Sequence, residues 1–349
     1  MKKLYCLILA LVLNACTLPP GEKTQMHVLL AGSLVIPFDD LEAVFEAKHP
    51  DVDVLMDGHG SIQCVRHVTE LDELADIVAV ADYALIPMLM YETKDPETGQ
   101  PYATWTLQFA TNRLGIAYTP QSAHADEISA ENWYEILSRP GVLLGLSDPR
   151  FDACGYRGLM LAQLAGSHYG GQDIFADLFG RRFTQPIRVQ TRGDVSAILI
   201  PEVLQPEKES GLVMRGSSVR LLALLQSGDL DYAFEYESVA RQHGLEFLPL
   251  PPEIDLSDKT YQDNYERVRV SLDFQRFASV NPEFEGLSIA YGLTIPANAP
   301  HPDLAVEFIR FLVGPEGQAI MAENRHPMIL PPVADNKDAL PTALQALVK

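Results

Sequence analysis

Three short loops combine glycine or serine with the start of a helical pattern, each directly after an apolar run. They lie at residues 31–34, 58–62 and 152–156. The first turn of a helix carries backbone N–H groups without a partner in the helix, and the helix dipole adds a partial positive charge. Helix starts therefore bind anions without lysine or arginine. If these three loops converge, they form an oxyanion site.

The chain is strongly acidic, which limits the partners that it can bind. Its 349 residues carry a formal net charge of -21. Loss of the leader described below removes two lysines and leaves a charge of about -23. Nucleic acid needs a basic surface and is therefore excluded as a partner. An anionic ligand must be held by local dipoles that outweigh the overall field at short range.

The first residues resemble a bacterial lipoprotein signal. Lys2 and Lys3 form a short positive region, and residues 4–13 form an apolar stretch that is too short to span a membrane. Leu-Asn-Ala-Cys at 13–16 resembles a lipobox, so we expect a signal peptide over residues 1–15 and a lipid on Cys16. The alternative is an ordinary secretory signal with a chance cysteine. Either signal predicts export to the periplasm or cell surface, and the lipid would anchor the protein to the membrane.

Strand and helix patterns alternate along about 330 mature residues, a length typical of two domains. Strands are predicted over residues 27–31, 52–56, 76–80, 107–110, 114–118, 142–146, 231–236 and 288–295. Helices are predicted over residues 37–48, 61–69, 154–165, 217–226, 238–243 and 304–313. Repeated strand–helix units predict an α/β fold with mostly parallel sheets and a ligand at the carboxyl ends of the strands. Residues 181–216 are weakly patterned and predict only a surface excursion.

Several motifs together resemble those of the molybdate/tungstate-binding proteins of ABC importers, closest to the archaeal-type branch. They include Ala-Gly-Ser-Leu at 31–34, Ala-Asp-Ile-Val-Ala-Val-Ala-Asp-Tyr at 75–83, Cys-Gly-Tyr-Arg at 154–157 and Asp-Tyr-Ala-Phe-Glu-Tyr at 231–236. The resemblance covers nearly the whole mature chain. It implies a two-domain periplasmic-binding-protein type II fold with mixed, mostly parallel sheets and a hinged cleft.

The resemblance also implies how the protein works. The first domain would comprise residues 24–111 and 287–349, and the second residues 112–286. The protein would be a monomer without enzymatic activity or cofactor. It would bind molybdate or tungstate and deliver it to the permease and ATPase of an importer. The two ions have almost the same size and charge, so the sequence does not rank them.

The site residues that the resemblance implies come from both domains. They are Gly32, Ser33 and Ser61 from the first domain, with Asp152, Ala153, Cys154, Glu235 and Tyr236 from the second. Serine hydroxyls and backbone N–H groups donate well to deprotonated oxygens. From the residues alone, Ser33 and Ser61 could equally cap helices, and Asp152 could be an N-cap. Cys154 is expected to contribute its backbone, with a buried thiol.

Glu235 is the most informative of these residues because it lies within an otherwise apolar strand. A buried carboxylate needs a partner. From the residues alone, that partner is a salt bridge to Arg113 or Arg157. The resemblance implies instead that Asp152 and Glu235 are direct ligands of Mo or W. Carboxylate oxygen suits such hard Lewis acids, and the two ligands would complete six oxygens around the metal.

Some assignments stay open at this stage. Asp148 or Glu237 could take the place of Asp152 or Glu235, because they lie close by in the sequence. Cys64 and Cys154 could form a bridge, but free thiols are expected because a bridge would lock the hinge.

Three other functions are compatible with parts of the sequence. A binding protein for sulfate, phosphate or another tetrahedral oxyanion would share the fold without needing carboxylates at the ligand. A ferric-ion binder would use tyrosines, for which the candidates are Tyr83, Tyr232 and Tyr236. An exported hydrolase would pair a serine with a histidine, for which the candidates are Ser33, Ser61, His59 and His67. The hydrolase lacks a nucleophile-elbow pattern.

Overall fold

The computed structural model describes residues 23–274 and 282–349. The predicted signal peptide over residues 1–15 and the predicted lipid attachment at Cys16 lie outside these residues. Within the two described ranges, no helix is both long enough and apolar enough to cross a membrane.

Strands and helices alternate along most of the chain, as the sequence predicts. The strands are β1 (Thr24–Ala31), β2 (Val52–His59), β3 (Ile77–Val80), β4 (Leu107–Thr111), β5 (Leu114–Tyr118), β6 (Leu144–Ser147), β7 (Arg188–Arg192), β8 (Val195–Ile200), β9 (Leu212–Arg215), β10 (Tyr232–Tyr236), β11 (Glu246–Leu248), β12 (Val268–Leu272), β13 (Glu283–Glu285), β14 (Ala290–Thr294) and β15 (Met328–Ala334). The α-helices are α1 (Val35–Lys48), α2 (Ser61–Leu71), α3 (Trp133–Leu137), α4 (Ala153–His168), α5 (Val219–Ser227), α6 (Glu237–Gln242), α7 (Gln262–Tyr265), α8 (Pro302–Val313), α9 (Pro315–Glu323) and α10 (Thr342–Gln345). A short 3-10 turn, Gly32–Leu34, leads from β1 into α1.

The described strands form three mixed sheets. The first has the order β15-β4-β14-β3-β1-β2, the second β11-β5-β10-β6-β9, and the third β13-β12-β8-β7. The first sheet takes strands from both ends of the chain, whereas the other two use strands between Leu114 and Glu285. The chain leaves the first sheet after β4 and returns at β14. This arrangement is compatible with domain boundaries near residues 111 and 287, which stay a prediction.

The prediction of mostly parallel sheets is wrong. β1 pairs in parallel with β2 and β3, and β6 pairs in parallel with β9 and β10. Antiparallel pairings nevertheless outnumber the parallel ones among the described strands, because β14 runs against β3 and β4, and β5 runs against β10 and β11. These strands enter their sheets after long excursions of the chain. Local periodicity carries no information on the direction of such returning strands.

The segment at 181–216 is also more ordered than the sequence predicts. It contains β7, β8 and β9 instead of an unpatterned surface excursion. β8 pairs with both β7 and β12, and β9 lies at the edge of the second sheet beside β6. β7 and β9 are edge strands with mostly exposed or half-buried residues. Edge strands bury little apolar surface, so their pattern is weak in the sequence.

Helix α4 lies between the second and the third sheet. It packs against β6 and β10 of the second sheet and against β8 and β12 of the third. All but one of the residues from Ala153 to Ala165 are buried as a result, as expected for a helix covered on all sides. The start of α4 is therefore held rigidly, and with it the loop that carries Asp152.

Candidate functional site

Asp152 and Glu235 are held together by one residue, Ser218. Asp152 caps helix α4, with Oδ1 accepting from the Cys154 N–H at 3.4 Å and Oδ2 accepting from the Ser218 N–H at 2.7 Å. The Glu235 Oε1 atom accepts from the Ser218 hydroxyl at 3.0 Å and from the Tyr236 N–H at 2.8 Å. Ser218 thus binds both carboxylates, one through its backbone and one through its side chain. Asp152 is an N-cap and a candidate ligand at once.

The second oxygen of Glu235 is unusual. Oε2 is buried and has no hydrogen-bond partner among the described residues. Burial raises the pKa of Glu235 to about 8, opposed by the Tyr236 N–H and reinforced by the neighbouring charge of Asp152. Burial also raises the pKa of Asp152, against the hydrogen bonds from Ser218 and Cys154. A buried carboxylate oxygen without a partner costs free energy. This oxygen therefore marks a place where a ligand would be stabilising.

The arginines considered as partners of Glu235 bind elsewhere. The Nε atom of Arg113 lies 3.0 Å from Glu237 Oε2. Arg157 is buried and donates through Nη1 to the Ala81 carbonyl at 2.7 Å. Its Nη2 lies 3.4 Å from Asp82 Oδ1. No lysine or arginine of the described residues forms an ion pair with Glu235, so the salt-bridge interpretation of this carboxylate is wrong.

The two neighbouring carboxylates, Asp148 and Glu237, are each paired with an arginine. Asp148 Oδ1 accepts from Arg150 Nε at 2.9 Å, and Glu237 is paired with Arg113. Both side chains are therefore already neutralised by an arginine. The two carboxylates that lack an arginine partner and share Ser218 are Asp152 and Glu235.

The two candidate serines of the first sheet both retain a hydrogen to donate. Ser61 begins α2, and its Oγ accepts from the Ala81 N–H at 3.0 Å. Ser33 Oγ accepts from the Tyr291 hydroxyl at 3.0 Å. Because each oxygen accepts from a protein group, its own hydrogen is left for a further acceptor. The N-cap positions are Ala31 and Gly60, so the interpretation of these serines as helix caps is wrong.

Two glycines bring the loops of the two sheets into close contact. A Cβ atom at Gly60 would lie 2.4 Å from the Phe151 carbonyl oxygen and 3.4 Å from the Asp152 Cα. A Cβ atom at Gly32 would lie 3.0 Å from Val219 Cγ2, next to Ser218. The absence of side chains at these two positions allows the loops to meet. The structure therefore places Gly60 against the loop that carries Asp152, and Gly32 against the start of α5, beside Ser218.

The remaining candidates lie beside the carboxylates. Ala153 is the first residue of α4, a position whose N–H has no acceptor within its own helix. The Cys154 N–H is used by Asp152, and its thiol lies 3.4 Å from the Phe234 carbonyl and 4.0 Å from Glu235 Oε1. The Tyr236 hydroxyl accepts a hydrogen bond from Arg157 Nη1 at 2.9 Å, so its hydroxyl oxygen helps to position that arginine.

Both cysteines of the described residues, Cys64 and Cys154, are buried free thiols, as expected.

Polar residues that the sequence did not single out support this site. Asn112 Nδ2 donates to the Tyr291 hydroxyl at 3.0 Å, and Tyr291 in turn donates to Ser33. These hydrogen bonds form a row that runs from Asn112 through Tyr291 to Ser33. Because the Ser33 oxygen accepts the Tyr291 hydrogen, the hydrogen of Ser33 itself is left to be donated to a ligand. Ser218 is the other residue that was missed. A serine pair ahead of the α5 pattern, at 217–218, was the available signal.

Replacing Tyr291 with phenylalanine is expected to weaken oxyanion binding about fivefold, because the Ser33 hydroxyl loses the donor that orients it. One such hydrogen bond contributes about 1 kcal/mol, and 1.4 kcal/mol is a factor of ten in affinity. Calorimetric titration measures the change. Tyr102→Phe is the matched control, since that hydroxyl donates to Asp72 at 3.3 Å. Equal affinities of Tyr291→Phe and the natural protein would contradict the role of the row.

The residues of the two remoter alternatives are not brought together. The Tyr232 hydroxyl donates to the Ala123 carbonyl and the Tyr236 hydroxyl binds Arg157, so these tyrosines do not converge on one ion. His59 lies against Asp57, and His67 Nδ1 lies 2.6 Å from Glu73 Oε2. Within the described residues, neither candidate serine is hydrogen-bonded to a histidine. These four candidates therefore form no nucleophile–base pair among the described residues.

Comparisons with known proteins agree with this architecture. The sequence model of the family described as bacterial extracellular solute-binding protein matches residues 26–324. An uncharacterized solute-binding protein of Methanoculleus marisnigri is 43% identical over 330 residues, which are 94% of this chain and 88% of that protein. The molybdate/tungstate-binding protein WtpA of Thermococcus kodakarensis is 38% identical over 335 residues, which cover 94% of this chain and 88% of that protein.

A solved structure shows the same fold. The periplasmic molybdate-binding protein of Azotobacter vinelandii superposes with a TM-score of 0.54 at 13% identity, over 86% of this chain and 98% of that one. At this identity the likeness concerns the fold alone. The predicted α/β periplasmic-binding-protein fold of two domains with mixed sheets is confirmed.

Proposed function

The chain belongs to the bacterial extracellular solute-binding protein family, and on that premise we propose that it captures molybdate or tungstate for an ABC importer. A solute-binding protein for ABC transport is not an enzyme. The observation that carries the proposal is the pair of buried carboxylates held by Ser218, one of them with an unpartnered oxygen. The family relative named molybdate/tungstate-binding protein supports the same ligand.

The chemistry of the pair favours a metal-centred oxyanion. A carboxylate that faces a dianion repels it, unless the carboxylate oxygen bonds to the central atom. Molybdenum and tungsten can accept two further oxygen ligands, whereas the sulfur of sulfate and the phosphorus of phosphate do not. In the proposed complex, Asp152 and Glu235 bind the metal, while Ser33, Ser61 and backbone N–H groups of the loops donate to its oxo groups. Such a site also rejects sulfate.

One observation favours a second binding mode. With a pKa raised to about 8, Glu235 is protonated at neutral pH and its Oε2 can donate a hydrogen bond. A neutral carboxylic acid would accept a tetrahedral oxyanion, including sulfate or phosphate, without repulsion. In that mode the anion keeps four oxygens, and the carboxyl group stays outside the coordination shell.

A titration with molybdate, tungstate, sulfate, phosphate and vanadate tests the proposal. We expect molybdate and tungstate to bind at least a hundredfold more tightly than sulfate or phosphate. X-ray absorption of the tungstate complex is expected to show six oxygens around the metal. Equal affinity for sulfate, or a shell of four oxygens, would instead support the second mode.

We also propose that the mature protein starts at a lipidated Cys16, on the basis of the Leu-Asn-Ala-Cys segment at 13–16. The lipid would keep the protein at the membrane that holds the importer. Mass spectrometry of the protein made in a bacterial host measures the added acyl chains. An unmodified product with a different first residue would rule the anchor out.

A further inference from the structure

A cluster of histidines and carboxylates lies on the first sheet, apart from the carboxylate pair. It consists of His27 on β1, Asp57 and His59 on β2, His67 on α2 and Glu73 after α2. One potential ligand atom from each of His27, Asp57 and Glu73 lies within 4.8 Å of the other two. All five side chains are partly exposed, so an ion can reach them from solution.

The hydrogen bonds of His27 prepare one of its nitrogens to bind a cation. Its Nδ1 lies 3.0 Å from the Leu74 carbonyl oxygen. A carbonyl only accepts, so the hydrogen resides on Nδ1 and the lone pair on Nε2. That Nε2 faces Glu73, whose Oε1 lies 3.7 Å away. Histidines that bind metals usually donate their other N–H to a carbonyl or carboxylate in this way.

The contacts of the other members are equally suited to a cation. His67 Nδ1 lies 2.6 Å from Glu73 Oε2, which fixes that carboxylate. His59 Nε2 lies 3.0 Å from Asp57 Oδ1 but makes no hydrogen bond of good geometry to any described residue, although the atom is buried. Zinc binds nitrogen and oxygen ligands at roughly 2.0–2.2 Å, which places two ligands of a tetrahedral ion about 3.3 Å apart. His27 Nε2 and Glu73 Oε1, which are 3.7 Å apart, approach this separation, and one oxygen of Asp57 lies within 4.8 Å of both residues' ligand atoms.

We propose that this cluster binds one divalent transition cation of the zinc type, through His27 Nε2 and the carboxylates of Asp57 and Glu73. His67 and His59 orient these carboxylates. A mixture of imidazole and carboxylate favours such a cation over calcium or magnesium, which prefer oxygen ligands alone. The ion would tie β1, β2 and the end of α2 together, and the segment that carries Gly60 and Ser61 lies between the last two. The proposal does not depend on which oxyanion the protein carries.

The test uses the untagged chain after treatment with a chelator. Calorimetric titration with Zn²⁺ is expected to give one ion per chain, and Zn²⁺ is expected to raise the melting temperature. His27→Ala and Glu73→Gln are each expected to weaken Zn²⁺ binding at least tenfold. The matched control is His124→Ala, because His124 Nδ1 lies 2.7 Å from Glu127 Oε1 in a similar pair outside this group of three. This control is expected to leave Zn²⁺ binding unchanged.

Cobalt provides a readout that needs no variant. Co²⁺ bound to the natural chain is expected to show the strong visible absorption of a tetrahedral site, and Zn²⁺ should displace it. Circular dichroism checks that His27→Ala and Glu73→Gln are folded; if one is not, the other variant and the Co²⁺ spectrum decide. Failure of the natural chain to bind Zn²⁺ or Co²⁺ would overturn the proposal. So would binding that His27→Ala and Glu73→Gln leave unchanged.

Discussion

Replacing Glu235 with glutamine is expected to weaken tungstate binding on the order of a hundredfold, because the amide oxygen is a poor substitute for a carboxylate ligand. Charge-assisted contacts contribute roughly 1.5–3 kcal/mol, which corresponds to a tenfold to hundredfold change in affinity. Above pH 8, where Glu235 is charged, the variant also removes a carboxylate that repels sulfate, so the ratio of the tungstate to the sulfate affinity should fall even further there. Calorimetric titration of both anions measures these changes.

The same substitution is expected to stabilise the ligand-free protein. Burial raises the pKa of Glu235 from 4.5 to about 8, so the unfolded chain loses this proton at a lower pH than the folded protein. The stability that this group contributes is complete below pH 4.5 and is lost as the pH rises through about 8. At pH 7 the free energy of unfolding is about 3 kcal/mol lower than it would be if the pKa of Glu235 were the same in the folded and unfolded chains. Glutamine stays neutral, and urea denaturation should show a higher free energy of unfolding.

Glu237→Gln is the matched control for both effects. Glu237 is two residues away, is half-buried and is paired with Arg113, so its substitution should change neither tungstate affinity nor the free energy of unfolding by much. If Glu235→Gln binds tungstate as tightly as the natural protein, Glu235 is not a ligand. Its buried carboxyl group would then be a structural acceptor for Ser218 and Tyr236.

The affinity for tungstate is expected to rise about tenfold for each pH unit between pH 6 and pH 8, and to level off above pH 8. Glu235 has a pKa of about 8 in the empty site and must lose its proton to bind the metal as a carboxylate. Binding should therefore release about one proton per ion below pH 8. Calorimetry in buffers of different ionisation enthalpy counts the released protons, and Glu235→Gln should remove most of the pH dependence.

The second binding mode predicts the opposite sign. If the protonated Glu235 donates a hydrogen bond to a tetrahedral anion, the affinity is constant below pH 8 and falls above it, and binding takes up a proton there. A flat profile below pH 8, with no proton released, would therefore contradict coordination of the metal by Glu235. The sign of the pH dependence separates the two modes without a structure of the complex.

The part of the site that was predictable from sequence is the part with a local signature. Glu235 is a single carboxylate in the apolar strand β10, and Asp152 precedes a helix in the position of a cap. Ser218 connects the two carboxylates, yet its local signal is weak, because a serine pair ahead of a helix is equally typical of a helix cap. Tyr291 and Asn112 look like an ordinary strand aromatic and a loop amide. Their role depends on a hydrogen bond between residues that lie 179 positions apart.

The fold was predictable to a similar extent. Buried strands such as β3 and β6 are continuous apolar runs, and helices such as α1 have an apolar face with Phe38, Leu41 and Phe45. The direction of β14 and β15 was not predictable, because it depends on where the chain re-enters the first sheet. The third sheet was missed for the same reason: β8 gains its partner β12 from a part of the chain about 70 residues later.

The contact of Arg157 with Ala81 and Asp82 has a consequence for how the two halves associate. Asp82, which follows β3 of the first sheet, also accepts from the Tyr156 hydroxyl at 2.6 Å. This one carboxylate therefore contacts two side chains of helix α4, Tyr156 and Arg157. The net free energy of a buried ion pair is small, because dehydration of both charges offsets their attraction. The Arg157–Asp82 pair therefore favours one orientation of α4 relative to the first sheet, but contributes little to the free energy of that arrangement. If the expected hinge exists, this pair would add little to the free-energy difference between open and closed forms, and the ion of the proposed function would shift the equilibrium between them.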